Sequence, residues 1–447
     1  MFGNILSTFF SRVLSMLIMF GIVILNARIF GAEGVGTIGL IILNISILQL
    51  VTSFIGGTTL VYLIPRREKK QLLIYSFVWA TVGNILGLLV LDALSLVPQD
   101  YFYLLMFTSI VFSYNSINLT VLQAFERIKI FNVFQVSQSL LLILFVLIGL
   151  LWDRYSDNYI FEVKHYFYAF LSSYLITFLI SAAYVIRLLY QQSQQNLKAL
   201  EFESKTWINQ LKEMLSLGAW VQIANLAQLL NYRLSYYFIE WFVGRKPLGI
   251  YDMGTKISEA IWVFPKSLCL VQYARLSNNT DKEYAKKITL IFAKIASFFT
   301  LLVLIVLLVL PTSFYTMIFG MEFADVKTIL LALAPGIFLL SILTVFSHHL
   351  AAKGAYWKNA VSSLAGLIIT VIGGYFLIPI AAQSGFLNAL FIAGIITSVS
   401  YLTSFLITIY FFHIDSQLKI HDFLISEEEL LLLKSELKKI FKRNPNP

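Results

Sequence analysis

Long apolar runs alternate with short polar connections along the whole chain. A run of about 20 apolar residues is enough to cross the hydrocarbon core of a bilayer as a helix. By that measure the pattern predicts spans near 7–29, 37–64, 72–95, 102–124, 131–152 and 166–189. A second set follows near 214–242, 249–273, 287–310, 327–350, 359–378 and 386–412. The expected fold is therefore an all-α membrane protein of about twelve transmembrane helices. The connections are short except for 190–211, and a tail follows the last span.

Composition agrees with this. Hydrophobic residues make up 58% of the chain and charged residues 13%, whereas soluble domains carry about 25% charge. The basic residues are distributed unevenly between the two sides. With the N-terminus placed in the cytoplasm, 23 of the 33 Lys and Arg fall on the cytoplasmic side, 6 on the other side and 4 within spans. The positive-inside rule then places both termini in the cytoplasm. The net charge of +9 is explained by basic loops facing anionic lipid headgroups, without nucleic acid. The N-terminal stretch lacks a small-residue cleavage site after its apolar run, so it reads as the first span.

The chain also looks duplicated. Gly31-Ala32-Glu33-Gly34-Val35-Gly36 after span one is echoed, 213 residues on, by Gly244-Arg245-Lys246-Pro247-Leu248-Gly249 after span seven. Ala124 and Asn132 after span four are echoed by Ala351 and Asn359 after span ten. Six spans per half make equivalent spans point the same way. This predicts two six-helix lobes related by a pseudo-twofold axis along the membrane normal. The expected lobes are 1–190 and 213–412, joined by a cytoplasmic linker at 191–212. The tail, 413–447, is expected to form an amphipathic cytoplasmic helix, with Leu430, Leu433, Leu437 and Ile440 on one face.

Several apparent motifs carry no chemistry. Gly34-Val35-Gly36-Thr37-Ile38-Gly39 fits a dinucleotide fingerprint, but a membrane span rather than a strand precedes it. It is expected to form a tight turn between spans. His348 and His349 are neighbours on a helix and point about 100° apart, so they suit a local polar role better than chelation. The lone Cys269 can form neither an intrachain disulfide nor a cluster. No cofactor or metal is expected.

The polar residues inside spans are the informative ones. On span eight, Asp252, Lys256, Glu259 and Lys266 fall within about 80° of one another on an ideal helix, with Pro265 able to disturb the last of them. On span seven, Gln222, Asn225, Tyr232, Arg233, Tyr236 and Glu240 share an arc of about 100°. Span one carries Ser11, Arg12, Ser15 and Asn26 in one stripe, and span two carries Gln49, Thr52 and Thr59 in a weaker one. A charge at mid-membrane costs about 2.5–3.5 kcal/mol on the insertion scale, so such residues face a bundle interior or a wet cavity. Lys256 and Glu259 could pair as i,i+3 neighbours. Arg233 and Lys266 have no evident acidic partner in the sequence. The surplus of cations suggests an anionic substrate group.

These features resemble a known family. Phe30-Gly31-Ala32-Glu33-Gly34-Val35-Gly36, Leu230-Asn231-Tyr232-Arg233-Leu234 with Leu248-Gly249-Ile250-Tyr251, and Phe319-Gly320-Met321-Glu322-Phe323 resemble, in order and spacing, segments of Wzx-type polysaccharide transporters. Those belong with MATE exporters and lipid II flippases in one superfamily. One departure is Ser235, where the family often carries an acid two residues after the arginine. The resemblance implies a flippase for undecaprenyl diphosphate-linked oligosaccharides in the bacterial inner membrane, working by alternating access. Proton or sodium would be the coupling ion.

With a diphosphate-linked substrate, the polar stripes point to Arg12, Arg233, Lys256 and Lys266 as contacts for the diphosphate and to Glu259 or Asp252 as the acid that couples the ion. Gln49, Thr52, Gln222, Asn225, Tyr232, Tyr236 and Glu240 would line the cavity. The alternatives are a MATE-type small-molecule antiporter and a membrane-embedded glycosyltransferase or polymerase. The external loop Asp153–His165 is short for a catalytic domain.

Overall fold

The computed structural model describes residues 2–64, 68–156, 160–195, 207–277 and 281–418. The amphipathic helix expected beyond residue 418 and most of the 191–212 linker lie outside them. The described residues form helices and turns with no strand. In order they are α1 (Phe2–Thr52), α2 (Gly57–Leu63), α3 (Lys69–Ala93), α4 (Phe102–Ala124), α5 (Ile128–Tyr155), α6 (Val163–Gln195) and α7 (Trp207–Phe242). Then come α8 (Arg245–Ile261), α9 (Val263–Ser277), α10 (Lys282–Val309), α11 (Thr312–Phe319), α12 (Val326–Ala352), α13 (Tyr356–Gln383) and α14 (Phe386–Ser416).

Nine helices among the described residues are long and apolar enough to cross a membrane. One of these, α1, holds two spans, because its backbone turns at Gly31 (φ 62°, ψ −167°). The α7 helix and the α8–α9 pair are not among the nine, α8 and α9 being only 17 and 15 residues long, yet they fill the seventh and eighth positions. Twelve spans result, at the places the sequence pattern gives. The turn between spans one and two is a single residue, Gly31. The Gly34–Gly39 stretch expected to form that turn is instead helical, because only Gly31 adopts the left-handed backbone there.

The bundle is apolar on the outside. On α3, Val78, Leu86 and Val90 are exposed, while Ser76, Ala80, Gly83 and Asn84 are buried. On α13, Ile368, Phe376 and Ile380 face outward while Ser362, Gly366, Thr370 and Gly373 face inward. Lipid is as apolar as leucine, so close packing of small residues and interhelical hydrogen bonds hold such helices together. The α13–α14 pair illustrates this. Ser400 Oγ donates to Gly366 O at 2.8 Å, Ser404 Oγ to Ser362 O at 3.0 Å, and Thr408 Oγ1 to Ser362 Oγ at 3.0 Å. Pro335 lies inside α12, and one residue on, Ser398 Oγ bridges Gly336 N (3.2 Å) and Ala332 O (2.6 Å). That hydroxyl satisfies backbone groups next to the proline.

By packing, the chain divides into two compact units: 1–253 with 313–325, and 254–312 with 326–447. In the first unit the duplicated glycines have distinct physical roles. Gly31 and its counterpart Gly244 both take positive φ, 62° and 115°. Gly36 and its counterpart Gly249 meet each other: the amide N of Gly249 lies 3.0 Å from where a Gly36 Cβ would be. A Cβ on Gly249 would collide with the carbonyl oxygen of Ala32. The second arm of α1 and the start of α8 thus cross backbone to backbone.

Candidate functional site

The polar residues of α7 and α8 form a buried network in the first unit. Asp252 is 1% exposed. It sits under the second arm of α1, where a Cβ on Gly39 would be 3.1 Å from its carboxyl carbon. Tyr236, one α7 turn beyond Arg233, donates its hydroxyl to Asp252 Oδ1 at 2.8 Å. Arg233 Nη1 donates to the same tyrosine oxygen, and the guanidinium lies over the Tyr236 ring, 5.0 Å from its centroid. Arg233 Nη1 stands 4.0 Å from Asp252 Oδ1, with side-chain exposures of 19% and 2%. Arg233 therefore does have an acidic partner, contrary to the sequence expectation. The partner was missed because Asp252 is on the next helix and approaches only where Gly39 leaves room. Tyr236 is 1% exposed, so it bridges ions inside the protein rather than lining an open cavity.

The other α7 residues are arranged more loosely. Gln222 is buried and accepts from Asn225 Nδ2 at 3.3 Å, while Asn225 is exposed. Tyr232 is half-buried and its hydroxyl accepts from Gln228 Nε2 at 2.7 Å. Glu240 turns to Arg245, accepting from its Nε at 2.6 Å, and Arg245 Nη1 reaches Thr37 Oγ1 at 3.2 Å. This pairing ties the end of span seven to the start of span eight.

In the second unit, Lys256 and Glu259 are half-buried on α8. Helix α8 ends at Ile261, where Pro265 has no N–H to give back to the carbonyl four residues earlier. Trp262 at the break donates its indole N–H to Thr344 Oγ1 at 3.0 Å. Lys266 follows the break on α9, exposed, with its ammonium 4.4 Å from the Trp262 ring centroid. The ideal-helix phase does not carry through to Lys266. His349 is buried with Nδ1 2.7 Å from Thr289 Oγ1, and His348 Nδ1 lies 2.8 Å from Thr344 O. The side chain of Arg12 lies outside the described residues.

Gln49 and Thr52 belong to a neutral network within the first unit. Gln49 Nε2 donates to Ser116 Oγ at 2.9 Å and its Oε1 accepts from Ser113 Oγ at 3.1 Å. Ser113 Oγ also meets Thr52 Oγ1 at 3.2 Å and accepts from Asn84 Nδ2 at 3.0 Å. Sequence reasoning found the α1 side of this network and missed the α3 and α4 side. The signal was present in the run of Ser, Asn and Thr along span four.

A further cluster was missed at the turns between spans. Glu322 accepts from Ala32 N and from Lys246 Nζ, both at 2.7 Å, and Arg28 Nε donates to Ile318 O at 2.8 Å. The Lys246 and Ala32 hydrogen bonds hold the Glu322 carboxyl below the usual range.

Comparisons with known proteins bear on these features together. Residues 2–273 match the profile of a family described as polysaccharide biosynthesis protein. No match was found among curated protein sequences. Among solved structures, an inward-facing multidrug resistance MATE family transporter of the MOP superfamily is similar at TM-score 0.68 and 16% identity, covering 90% of this chain and 96% of that one. The lipid II flippase MurJ, in an inward closed conformation, is similar at TM-score 0.66 and 16% identity, covering 100% and 94%. A MOP superfamily transporter from Pyrococcus furiosus is similar at TM-score 0.59 and 16% identity, covering 92% and 95%. The shared fold is twelve spans in two six-helix lobes.

Proposed function

The chain belongs to the polysaccharide biosynthesis protein family, and from that premise we propose that it is a flippase for lipid-linked oligosaccharides. Its substrate is undecaprenyl diphosphate carrying a sugar chain, moved from the inner to the outer leaflet of a bacterial cytoplasmic membrane. O-antigen or another lipopolysaccharide glycan would be such a cargo. The membrane topology has both termini in the cytoplasm, as the basic loops favour. The protein is a transporter rather than an enzyme, and an ion gradient, proton or sodium, supplies the drive.

The observation that supports this reading best is Arg233, an arginine in the interior of a membrane helix of a polysaccharide-synthesis protein. Its guanidinium is oriented by Tyr236 and Asp252 and stays partly exposed. A planar guanidinium can take a phosphate with two parallel hydrogen bonds. Arg233 is therefore the first diphosphate contact, with Arg12, on span one of the same unit, a second; Lys256 and Lys266 are candidate anion contacts of the other unit, taken by themselves. Glu259 is the leading candidate for ion coupling. Asp252 is better assigned to holding Arg233, because it is buried in that network. The similarity to a multidrug MATE transporter favours a second reading, small-molecule antiport.

The test uses cells that make a lipid-linked glycan and lack their own flippase. Expression of this chain should bring the glycan to the outer surface, where an impermeant oxidant or lectin labels it. Arg233→Ala should leave the glycan inside at equal protein level. Surface glycan unchanged by expression of the wild-type chain would refute the proposal.

A further inference from the structure

The first unit contains a cavity of about 550 Å³ that the diphosphate chemistry does not use. It opens among α1, α4, α5 and α6. Its volume lies in the range of small-ligand pockets, ~300–1,000 Å³. Amides and hydroxyls supply its polar lining: Ser15, Gln49, Asn115, Ser116, Gln138 and Ser139. Phe112, Phe134 and Tyr174 supply flat aromatic wall. Among the described residues no Asp, Glu, Lys, Arg or His lines it.

Two of these polar groups are buried without a hydrogen-bond partner among the described residues. Asn115 is 3% exposed and its Oδ1 accepts nothing, and Ser15 Oγ is likewise unmet. A buried polar atom left unsatisfied is unfavourable by about 1–3 kcal/mol; both oxygens are closed off from solvent in this conformation, and a side-chain turn toward the cavity would let a ligand hydroxyl meet them. The surroundings narrow the chemistry. A bare cation would want carboxylates or a tight oxygen cage, and the cavity has neither. A phosphate or uronate would want a cation, and among the described residues none lines it. A lipid chain would leave the amides unsatisfied. A neutral pyranose fits all three conditions. Its hydroxyls both donate and accept, as amides and hydroxyls do, and its C–H faces pack against aromatic rings.

We propose that this cavity is a subsite for a neutral sugar residue of the transported glycan. The inference rests on the flippase reading for its substrate class. Gln49, Asn115, Gln135 and Gln138 contact the sugar hydroxyls, and Tyr174 and Phe112 form the wall. Gln49 and Gln138 are pre-oriented by Ser116 and Ser173, at 2.9 and 3.3 Å. The subsite selects for uncharged sugars at this position of the glycan.

Saturation-transfer NMR on the full chain in detergent tests the subsite independently of transport. The probes are free N-acetylglucosamine and glucuronate at equal concentration. Wild type should transfer saturation to N-acetylglucosamine and several-fold less to glucuronate. Asn115→Leu should lose most of the signal. Gln135→Leu, an exposed lining position on α5, should reduce it several-fold without the folding risk of a buried change. Equal signals from both sugars, signals unchanged in both variants, or no signal at all (a cavity holding only water) would each overturn the subsite. Flux of a lipid-linked neutral oligosaccharide into proteoliposomes is measured in parallel. If wild type moves none, the flippase reading fails whatever the NMR shows. If wild type moves it and both variants equal wild type, the subsite alone fails.

Discussion

Arg233 is oriented by the Tyr236 hydroxyl and the buried carboxylate of Asp252, among its contacts. In Tyr236→Phe the hydroxyl that donates to Asp252 is lost, leaving a nearly inaccessible carboxylate less well satisfied. Removing such a partner costs about 1–3 kcal/mol. Thermal unfolding of the purified protein should show a lower Tm, and an unchanged Tm would mean that the network does not bear on stability. Substitution of Arg233 itself separates charge from geometry. Arg233→Lys keeps the positive charge and loses the bidentate fork, so it should retain part of the transport that Arg233→Ala abolishes. Surface labelling of the glycan at matched expression reads the difference, and normal transport by Arg233→Ala would remove Arg233 from the phosphate site.

The sequence made Arg233 visible, because an arginine within an apolar helix is conspicuous. It could not show Asp252 as partner, because the two lie 19 positions apart on different helices and meet only in the folded protein. The neutral cavity was hidden for a related reason. Asn115 and Gln138 look like ordinary interhelical hydrogen-bonding residues until the space beside them is seen.

At the level of elements, the duplicated glycine segments carry the packing. Gly249 is where α8 meets the carbonyl of Ala32, so Gly249→Ala forces the two helices apart. Overpacking of this kind costs about 1–3 kcal/mol. Gly21→Ala is the control, since nothing lies within 4 Å of a Cβ there, and it should be neutral or stabilising by about 0.5–1 kcal/mol as a helical Gly-to-Ala change. Comparable melting of the two variants would contradict the close crossing. The repeat was legible as a sequence echo, but its mechanism was not. Only the backbone shows that the first glycine of each copy turns the chain and the last permits contact.

The tie at Glu322 gives a pH dependence. Its carboxyl is held below the usual range by Lys246 and Ala32 N, so the folded state favours the ionised form. The contribution is present above the unfolded carboxylate range and is lost as pH falls through the lowered folded value. Glu322 is 45% exposed, and water screening keeps the effect small. Glu322→Gln should lower Tm slightly at pH 7 and flatten part of its decline toward acid. A variant with the wild-type pH profile would show that the tie adds nothing.

For the whole molecule, twelve spans were legible from apolar runs alone, because bilayer thickness fixes helix length. The break at Trp262 and the one-residue turn at Gly31 were less legible, since each depends on local backbone geometry. The family match and the shared fold place the chain among membrane proteins of polysaccharide synthesis. Its central claim concerns cargo, and one measurement addresses it directly. Purified protein is reconstituted in proteoliposomes with fluorescent undecaprenyl diphosphate-linked oligosaccharide, and an impermeant quencher reports leaflet exchange. A parallel arm follows a cationic dye under the same imposed gradient. The account predicts gradient-stimulated exchange of the lipid-linked oligosaccharide, reduced at least tenfold in Arg233→Ala, with no dye movement. Dye transport without oligosaccharide exchange would contradict it.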